Sequence, residues 1–273
     1  MMKNNNSYAD LEAALRIDCE KCSGLCCVAL YCMKTDGFPE NKEAGVPCRH
    51  LRPDFRCSIH ALLEKKKMKG CLAYDCFGAG QKVTQIYGNE NWQTHPDKAS
   101  EIFQTFMIVR KLYQMAWYLL EAWSVVADEH FSAAIAALLA ENLQITAGAP
   151  AAMRLADIAD YQTRVNQVLK KSSAQLVAKS SGQTNRKDFL GKNFKKTNLD
   201  GQDFSMALLI AANLTGCSLR RSNFLGADLR DANIKDTDLR EAVFLTQMQI
   251  NAAQGNGKTQ LPPRLLRPSN WPD

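Results

Sequence analysis

No stretch of the sequence is long and apolar enough to read as an export signal or a membrane span. The first residues, MMKNNNSYADLEAALRIDC, hold no apolar core of signal-peptide length and no cleavage-type ending. The most apolar window, 112–127 (LYQMAWYLLEAWSVVA), contains Gln114 and Glu121 and falls short of a clean span. The expectation is a cytoplasmic protein with no membrane partner. An excess of one charge is missing too: 34 Lys and Arg face 28 Asp and Glu, and the net +6 permits an acidic partner without demanding nucleic acid. There is no Ser/His/Asp grouping and no carboxylate pair with a sequence argument behind it, so the reading leans away from an enzyme and assigns no catalytic residue.

Several motifs are present only as fragments. GNGKT at 255–259 suggests a phosphate loop, but Ala252 stands where its first glycine belongs, and Gln260-Leu261-Pro262-Pro263 leaves no helix N-terminus to hold phosphates. Cys19-x2-Cys22 lacks the following His of a covalent haem site. GAG at 78–80 reads as a turn, the lysine run at 64–69 as a solvated helix face, and Trp117 and Trp123 as packing residues.

Cysteine, by contrast, is abundant. Nine of the ten lie between Cys19 and Cys76, beginning with CEKCSGLCC at 19–27. Cytosolic thiols stay reduced, so clustered spacing points to metal or redox chemistry rather than disulfides. Close pairs let one loop aim two thiolates at one ion, and later cysteines complete the shell when the chain folds back. The candidate ligands are Cys19, Cys22, Cys26, Cys27, Cys32, Cys48, Cys57, Cys71 and Cys76, enough for one site of four with spares or for two sites. Thiolates select zinc, iron or an iron–sulfur cluster, and the spacing leaves these open. His50 and His60 could substitute as ligands, but they read better as structural neighbours.

The elements Cys19 to Cys27, Cys57-Ser58-Ile59-His60 and Cys71 to Cys76 resemble the zinc- or iron-chelating cysteine-rich family of bacteria over about residues 17–80. The interval between Cys57 and the last pair departs from the usual form. That resemblance implies a bound metal and no particular reaction.

From Asp97 the spacing becomes helical: Ile102, Phe103, Phe106, Met107, Val109, Leu112, Ala116, Leu119, Leu120 and Trp123 recur at three- and four-residue steps. Pro96-Asp97 marks the start. Further helices are expected over 131–144 and 150–179, separated by Ala147-Gly148-Ala149-Pro150, with a linker at 180–185.

Beyond the linker the period is five. Phe189, Phe194, Leu199, Phe204, Leu209, Leu214, Leu219, Phe224, Leu229, Ile234, Leu239 and Phe244 form an unbroken series. Small residues such as Ala207, Ala212 and Cys217 precede them by two places, and Asn or Asp precedes most of them by one. A step of five fits neither helix nor strand, so the chain must turn a corner every five residues. Residues 186–246 resemble the pentapeptide repeat family. That resemblance implies a right-handed quadrilateral β-helix of about three coils, roughly 15 Å tall at the ~4.8 Å strand spacing.

Lys187, Lys192 and Gln202 break the small-residue pattern, making the first coil a loose cap, and the tail after 246 is expected to cover the last one. Leu190, Leu208 and Ile210 on one side, with Leu225, Val243 and Leu245 on another, give the rod an apolar half suited to the protein's own helices or to a second copy. The fold class expected is multidomain α+β: a cysteine-rich metal module (1–95), a helical domain (96–181), the repeat (186–246) and a C-terminal cap (247–273).

Three functions compete. The favoured one is a non-enzymatic metal-binding scaffold for a protein partner, with a role in resistance or self-protection by family analogy. A metal- or cluster-dependent redox enzyme is the second. The third is topoisomerase protection by DNA mimicry, a role that the resemblance implies for some relatives. Residues 186–246 hold ten Lys/Arg against eight Asp/Glu, a poor copy of a duplex carrying one charge per ~1.7 Å.

Overall fold

The computed structural model describes residues 8–38, 40–126, 128–177 and 187–273. The 180–185 linker and the first residue of the repeat segment fall outside them. The chain divides into two compact units, Met1–Cys71 with Asp75–Leu169, and Leu72–Tyr74 with Lys170–Asp273. In chain order the helices are α1 (Ala9–Ala14), α2 (Leu25–Ala29), α3 (Lys69–Ala73), α4 (Ala79–Tyr87), α5 (Ala99–Val125), α6 (Glu129–Ala147), α7 (Pro150–Leu155), α8 (Ile158–Val177) and α9 (Gln247–Ala252). None of them is long and apolar enough to cross a membrane.

The axis of the first unit is α5. Its 27 residues rise about 40 Å at ~1.5 Å per residue, and Ile102, Phe106, Val109, Leu112, Ala116 and Leu119 are buried along one stripe. Helices α2, α4, α6 and α7 pack against it. Pro96–Lys98 forms a 3-10 turn just before it, as expected of a Pro-led start. A buried polar knot fixes the helix register: Asn142 Nδ2 donates to Leu112 O (2.9 Å) and to Tyr161 Oη (3.1 Å), while the Tyr161 hydroxyl donates to Leu138 O (2.9 Å). The helix expected over 150–179 is two, α7 and α8. Ala156 takes an extended conformation, and the Asp157 carboxylate accepts the Asp160 N–H (2.9 Å), starting a new helix.

In the repeat, every backbone N–H of the five-residue unit has a partner, as Asn213–Cys217 shows. Asn213 N–H donates to Lys192 O one coil back (2.8 Å), and Leu214 N–H to Asn233 O one coil on (2.8 Å). Thr215 N–H donates to the Asn213 side-chain oxygen (3.1 Å), Gly216 N–H to Lys235 O (2.9 Å), and Cys217 N–H to Leu214 O (3.0 Å). The last bond closes a turn whose third residue has φ near +60°, the type II signature. That residue recurs at 191, 196, 201, 206, 211, 216, 221, 226, 231 and 236. Glycine fills four of these places, and the rest accept a left-handed residue at a cost of about 1–2 kcal/mol each. The Asn or Asp before most of the apolar residues accepts the N–H two places on, as at Asn193, Asn213, Asp228 and Asp238.

The α+β expectation is corrected by this geometry. Among the described residues there is no β-strand and no sheet; regular secondary structure is helical. The anticipated strand-built β-helix is absent. Each side of the repeat carries a single bridged residue paired with its counterpart twenty places on, as in Asn213↔Asn233 and Ser218↔Asp238. The physical reason is the corner itself: a left-handed residue every fifth place interrupts the extended backbone before a second consecutive bridge can form.

Inside this stack of turns, Phe204 and Phe224 are stacked with centroids 5.5 Å apart. Beyond the first coil, a hydroxyl or thiol at the small position donates to a carbonyl one coil back: Cys217 to Phe194 O (3.0 Å), Ser222 to Leu199 O (2.7 Å), Thr237 to Leu214 O (2.8 Å). Cys217 is therefore a core residue. At the open first coil, Lys192 is exposed and its ammonium lies over the Phe189 and Phe194 rings (5.7 and 5.1 Å to the centroids). At the other end, α9 opens with a Thr246/Gln249 capping box, and Gln249 Nε2 donates to Phe224 O (2.9 Å) and Ala227 O (2.8 Å). The false phosphate loop belongs to this cap: Thr259 donates to Ile234 O (2.9 Å), and Gln260 pairs with Asp238.

Phe224→Ala, which empties the stack, is expected to cost about 3–5 kcal/mol, against about 1 kcal/mol for Asn213→Ala, which removes one turn's acceptor. Denaturant midpoints of the two variants check the ordering.

Candidate metal centre

The cysteine region is built almost entirely from short pieces. Asp18 accepts the Glu20 N–H (3.0 Å) and starts a 3-10 turn, Cys19–Lys21. Gln81 of α4 holds the preceding chain, accepting Asp18 N–H (2.7 Å) and donating to Arg16 O (2.7 Å). Gly24, at φ 69°, turns the backbone into α2, whose Leu25 and Val28 are fully buried while Cys26 and Cys27 occupy its first turn. Ser23 N–H donates to Thr84 Oγ1 (2.9 Å), and Trp92 Nε1 donates to Ser23 O (2.7 Å).

Two antiparallel bridges, Cys32↔Lys42 and Leu51↔Cys57, fold the later cysteines back toward α2. Cys48 N–H donates to Cys27 O (2.9 Å). The Lys42 ammonium reaches the carbonyls of Val28 (3.3 Å), Leu30 (2.6 Å), Glu43 (3.1 Å) and Val46 (2.9 Å), tying that loop to the end of α2. Arg56 donates to Cys19 O and to Glu20 O (2.6 Å), fastening the 52–56 loop to the first cysteines. Sequence reasoning did not single out Lys42 or Arg56, because a lone basic residue carries no motif.

Cys71 lies in α3, and Cys76 leads into α4. At the first turn of α4, a Cβ on Gly80 would stand 2.6 Å from Cys22 Sγ and 3.8 Å from Cys76 Sγ. Only glycine lets the Cys22 sulfur come this close to the backbone, while Cys76 sits at ordinary contact distance. Sulfur also receives backbone N–H groups: Cys22 from Gly24 and Leu25, Cys57 from Ile59, Cys76 from Gly78 and Gly80, and Cys48 from His50 at 3.5 Å. Such donors support a thiolate over a thiol.

Burial acts the other way. It raises Cys19, Cys22, Cys32 and Cys57 above the ordinary thiol value and takes Cys71 and Cys76 up to about 12. Cys26 and Cys27, with sulfurs 4.0 Å apart, share a proton: Cys26 is raised by its hydrogen bond to Cys27, and Cys27 is lowered by the same bond and by the Lys42 charge. Buried Asp75 beside Cys76 is pushed up to about 6 by desolvation, although it accepts the Phe77 N–H.

The structure thus brings all nine predicted cysteines into one neighbourhood, in which a thiolate's charge would be felt by others: that of Cys26 by Cys27, Cys22 and Cys76, and that of Cys71 by Cys27, Cys48, Cys32 and Cys57. Among the described residues, no three His, Cys, Asp or Glu side chains stand in an arrangement that could hold a metal ion. His60 is exposed, and His50 offers its backbone N–H to Cys48 while its ring accepts from Arg49 Nε (3.4 Å). The lysine run at 64–67 is exposed and sits in a turn rather than on a helix. Trp117 and Trp123 pack against Phe77 and Tyr8.

With coil and cysteine region in view, the five-residue period identifies the class. The family model for pentapeptide repeats matches residues 207–244 in eight copies. The chain is also 37% identical to the uncharacterized protein YybG of Bacillus subtilis over 275 residues, 98% of this chain and 97% of that protein. It belongs to the pentapeptide repeat proteins and, nearly end to end, to the same family as this bacterial homologue. Two solved pentapeptide repeat proteins also align. Rfr23 of the cyanobacterium Cyanothece 51142 is 28% identical over 25% of this chain and 46% of its own, with a TM-score of 0.21. One from the Arabidopsis thaliana thylakoid lumen is 29% identical over 30% of this chain and 56% of its own, with a TM-score of 0.14. The chain spans about half the length of these two proteins.

Gly80→Ala is expected to push Cys22 or Cys76 out of its place. The check is the rate of thiol modification in metal-free protein, resolved by peptide mass spectrometry. Faster labelling at either cysteine is predicted, and unchanged rates at both contradict the cradle.

Proposed function

We propose that the protein is a metal-binding pentapeptide-repeat scaffold, in which N-terminal thiolates hold zinc or iron and the repeat presents a surface to a protein partner. One observation carries the metal: nine cysteines gathered around helices too short to stand alone. Helices α1, α2 and α3 have six, five and five residues, well below the ~12–15 needed for marginal stability in isolation. A thiolate-bound ion supplies the missing cross-links and releases the thiol protons as it binds. The donor set fits a soft or borderline cation: sulfur throughout, N–H groups aimed at four of the sulfurs, and a glycine beside one of those four, Cys22. Bound metal supplies structural cross-linking, while Lys42, Arg56 and Gln81 hold the loops that carry its ligands.

The scaffold part rests on the repeat. Its Phe224 side is covered within the second unit, where Val243 and Leu245 are buried and Asn223 donates to Ser173 Oγ of α8. The side through Leu209 keeps apolar groups in solvent, with Leu190 65% and Leu208 46% exposed. An open coordination position with an exchangeable ligand would favour the redox-enzyme reading instead.

The experiment is elemental analysis with an ultraviolet–visible spectrum on anaerobically purified protein. Zinc gives a colourless sample and an iron–sulfur cluster a brown one. The Cys22→Ser/Cys26→Ser double variant is expected to lose metal and the folding of the first 80 residues while the repeat stays intact. A double variant that melts as wild type does and carries full metal overturns the reading.

A further inference from the structure

We infer that the side of the repeat through Leu209 is a self-complementary face that pairs with the same face of a second copy of this chain. The inference rests on the reading of the repeat as a partner-presenting surface, and it names the partner. Leu209 is fully buried and the backbone runs extended through it, so the residues one place before and one place after it point outward. Bridges between residues twenty apart, Asp188↔Leu208 and Leu208↔Asp228, set these residues in columns. One column holds Asp188, Leu208 and Asp228, and the other holds Leu190, Ile210 and Arg230.

The second coil is apolar in both columns and the third is charged in both. Leu190 and Leu208 are exposed, and Met206, at the adjoining corner, is 70% exposed. On the third coil the Arg230 guanidinium grips Asp228 of its own chain, with Nε 2.9 Å and Nη2 2.6 Å from Oδ2. A two-fold axis parallel to the stack and passing over Leu209 exchanges the two columns and keeps each coil level with its copy. Leu208 then meets Ile210 of the second copy, Met206 comes over the small corner residue Ala211, and each Arg230 lies between two Asp228 carboxylates. Every such contact occurs twice, as in any isologous pair.

The other two-fold choice, an axis across the stack, sets Asp188 against Asp228 and Leu190 against Arg230, which opposes like charges and strands a guanidinium on leucine. Charge complementarity therefore selects both the partner and its orientation. Asp188 stays at the rim, where its carboxylate keeps its water. The face is small, roughly 15 Å on a side, well under the ~800 Å² that each partner gives a standard interface, so the pair is weak and forms as concentration rises.

The test is sedimentation equilibrium of the full chain, with Leu208→Lys and Ile210→Glu as variants; both alter outward side chains and leave the turn acceptors in place. Wild type is expected to approach twice the monomer mass by ~1 mM. Each variant alone is expected to associate about 10–100-fold more weakly. An equal mixture of the two is expected to recover, because lysine on one chain meets glutamate on the other while the remaining Leu208 and Ile210 stay in contact. A wild type that stays monomeric, or a dimer that neither variant weakens, overturns the face. Weakening with no recovery in the mixture overturns the two-fold pairing. A photoreactive benzoylphenylalanine in place of Leu190, irradiated in cell extract, separates this inference from the reading it rests on. A cross-link to a second copy supports the pairing, a cross-link to another protein overturns it and leaves the scaffold reading standing, and no cross-link at all overturns both.

Discussion

Crowding nine sulfur atoms into a region of five- and six-residue helices sets the constraint that the rest of the first unit answers. Desolvation pushes the Cys71 and Cys76 thiols up to about 12, with the charges of neighbouring groups a smaller contribution in the same direction. In the proposed reading a bound cation would remove that penalty and convert the crowd into cross-links. The surrounding residues make sense in these terms. Lys42 and Arg56 spend their donors on backbone carbonyls next to the cysteines, and Gly80 keeps the head of α4 open to sulfur.

The second unit solves the opposite problem. There the backbone satisfies itself: a pentapeptide such as Asn213–Cys217 places three N–H groups on neighbouring coils, one on its own Asn side chain and one across its own turn. Large residues stack inside, and the ends are closed by a lysine over two phenylalanines and by a short capped helix. No metal is needed to hold such a stack.

The repeat was legible residue by residue because its period leaves no alternative: every fifth position is apolar, so every fifth position turns a corner. The role of the Asn and Asp residues was not legible from the pattern, since the pattern marks where they recur but not that their oxygens accept an N–H two places on. The absence of strands was not legible either. It follows from the left-handed residues at Lys196, Met206, Ala211 and their equivalents, whose side chains give no hint of positive φ. In the cysteine region, spacing marked the cysteines but not the close approach of Cys22 to the head of α4, which depends on Gly80, a residue that within a bare GAG reads only as a turn. The break between α7 and α8 was missed because Asp157 caps a helix inside an otherwise continuous helical pattern.

The central claim is that sulfur near the amino end grips a metal ion. X-ray absorption at the metal edge of freshly isolated protein tests it most directly. The account predicts a first shell of sulfur at about 2.3 Å, filled to four scatterers per ion. A shell of nitrogen and oxygen alone, or no edge signal above background, would contradict it.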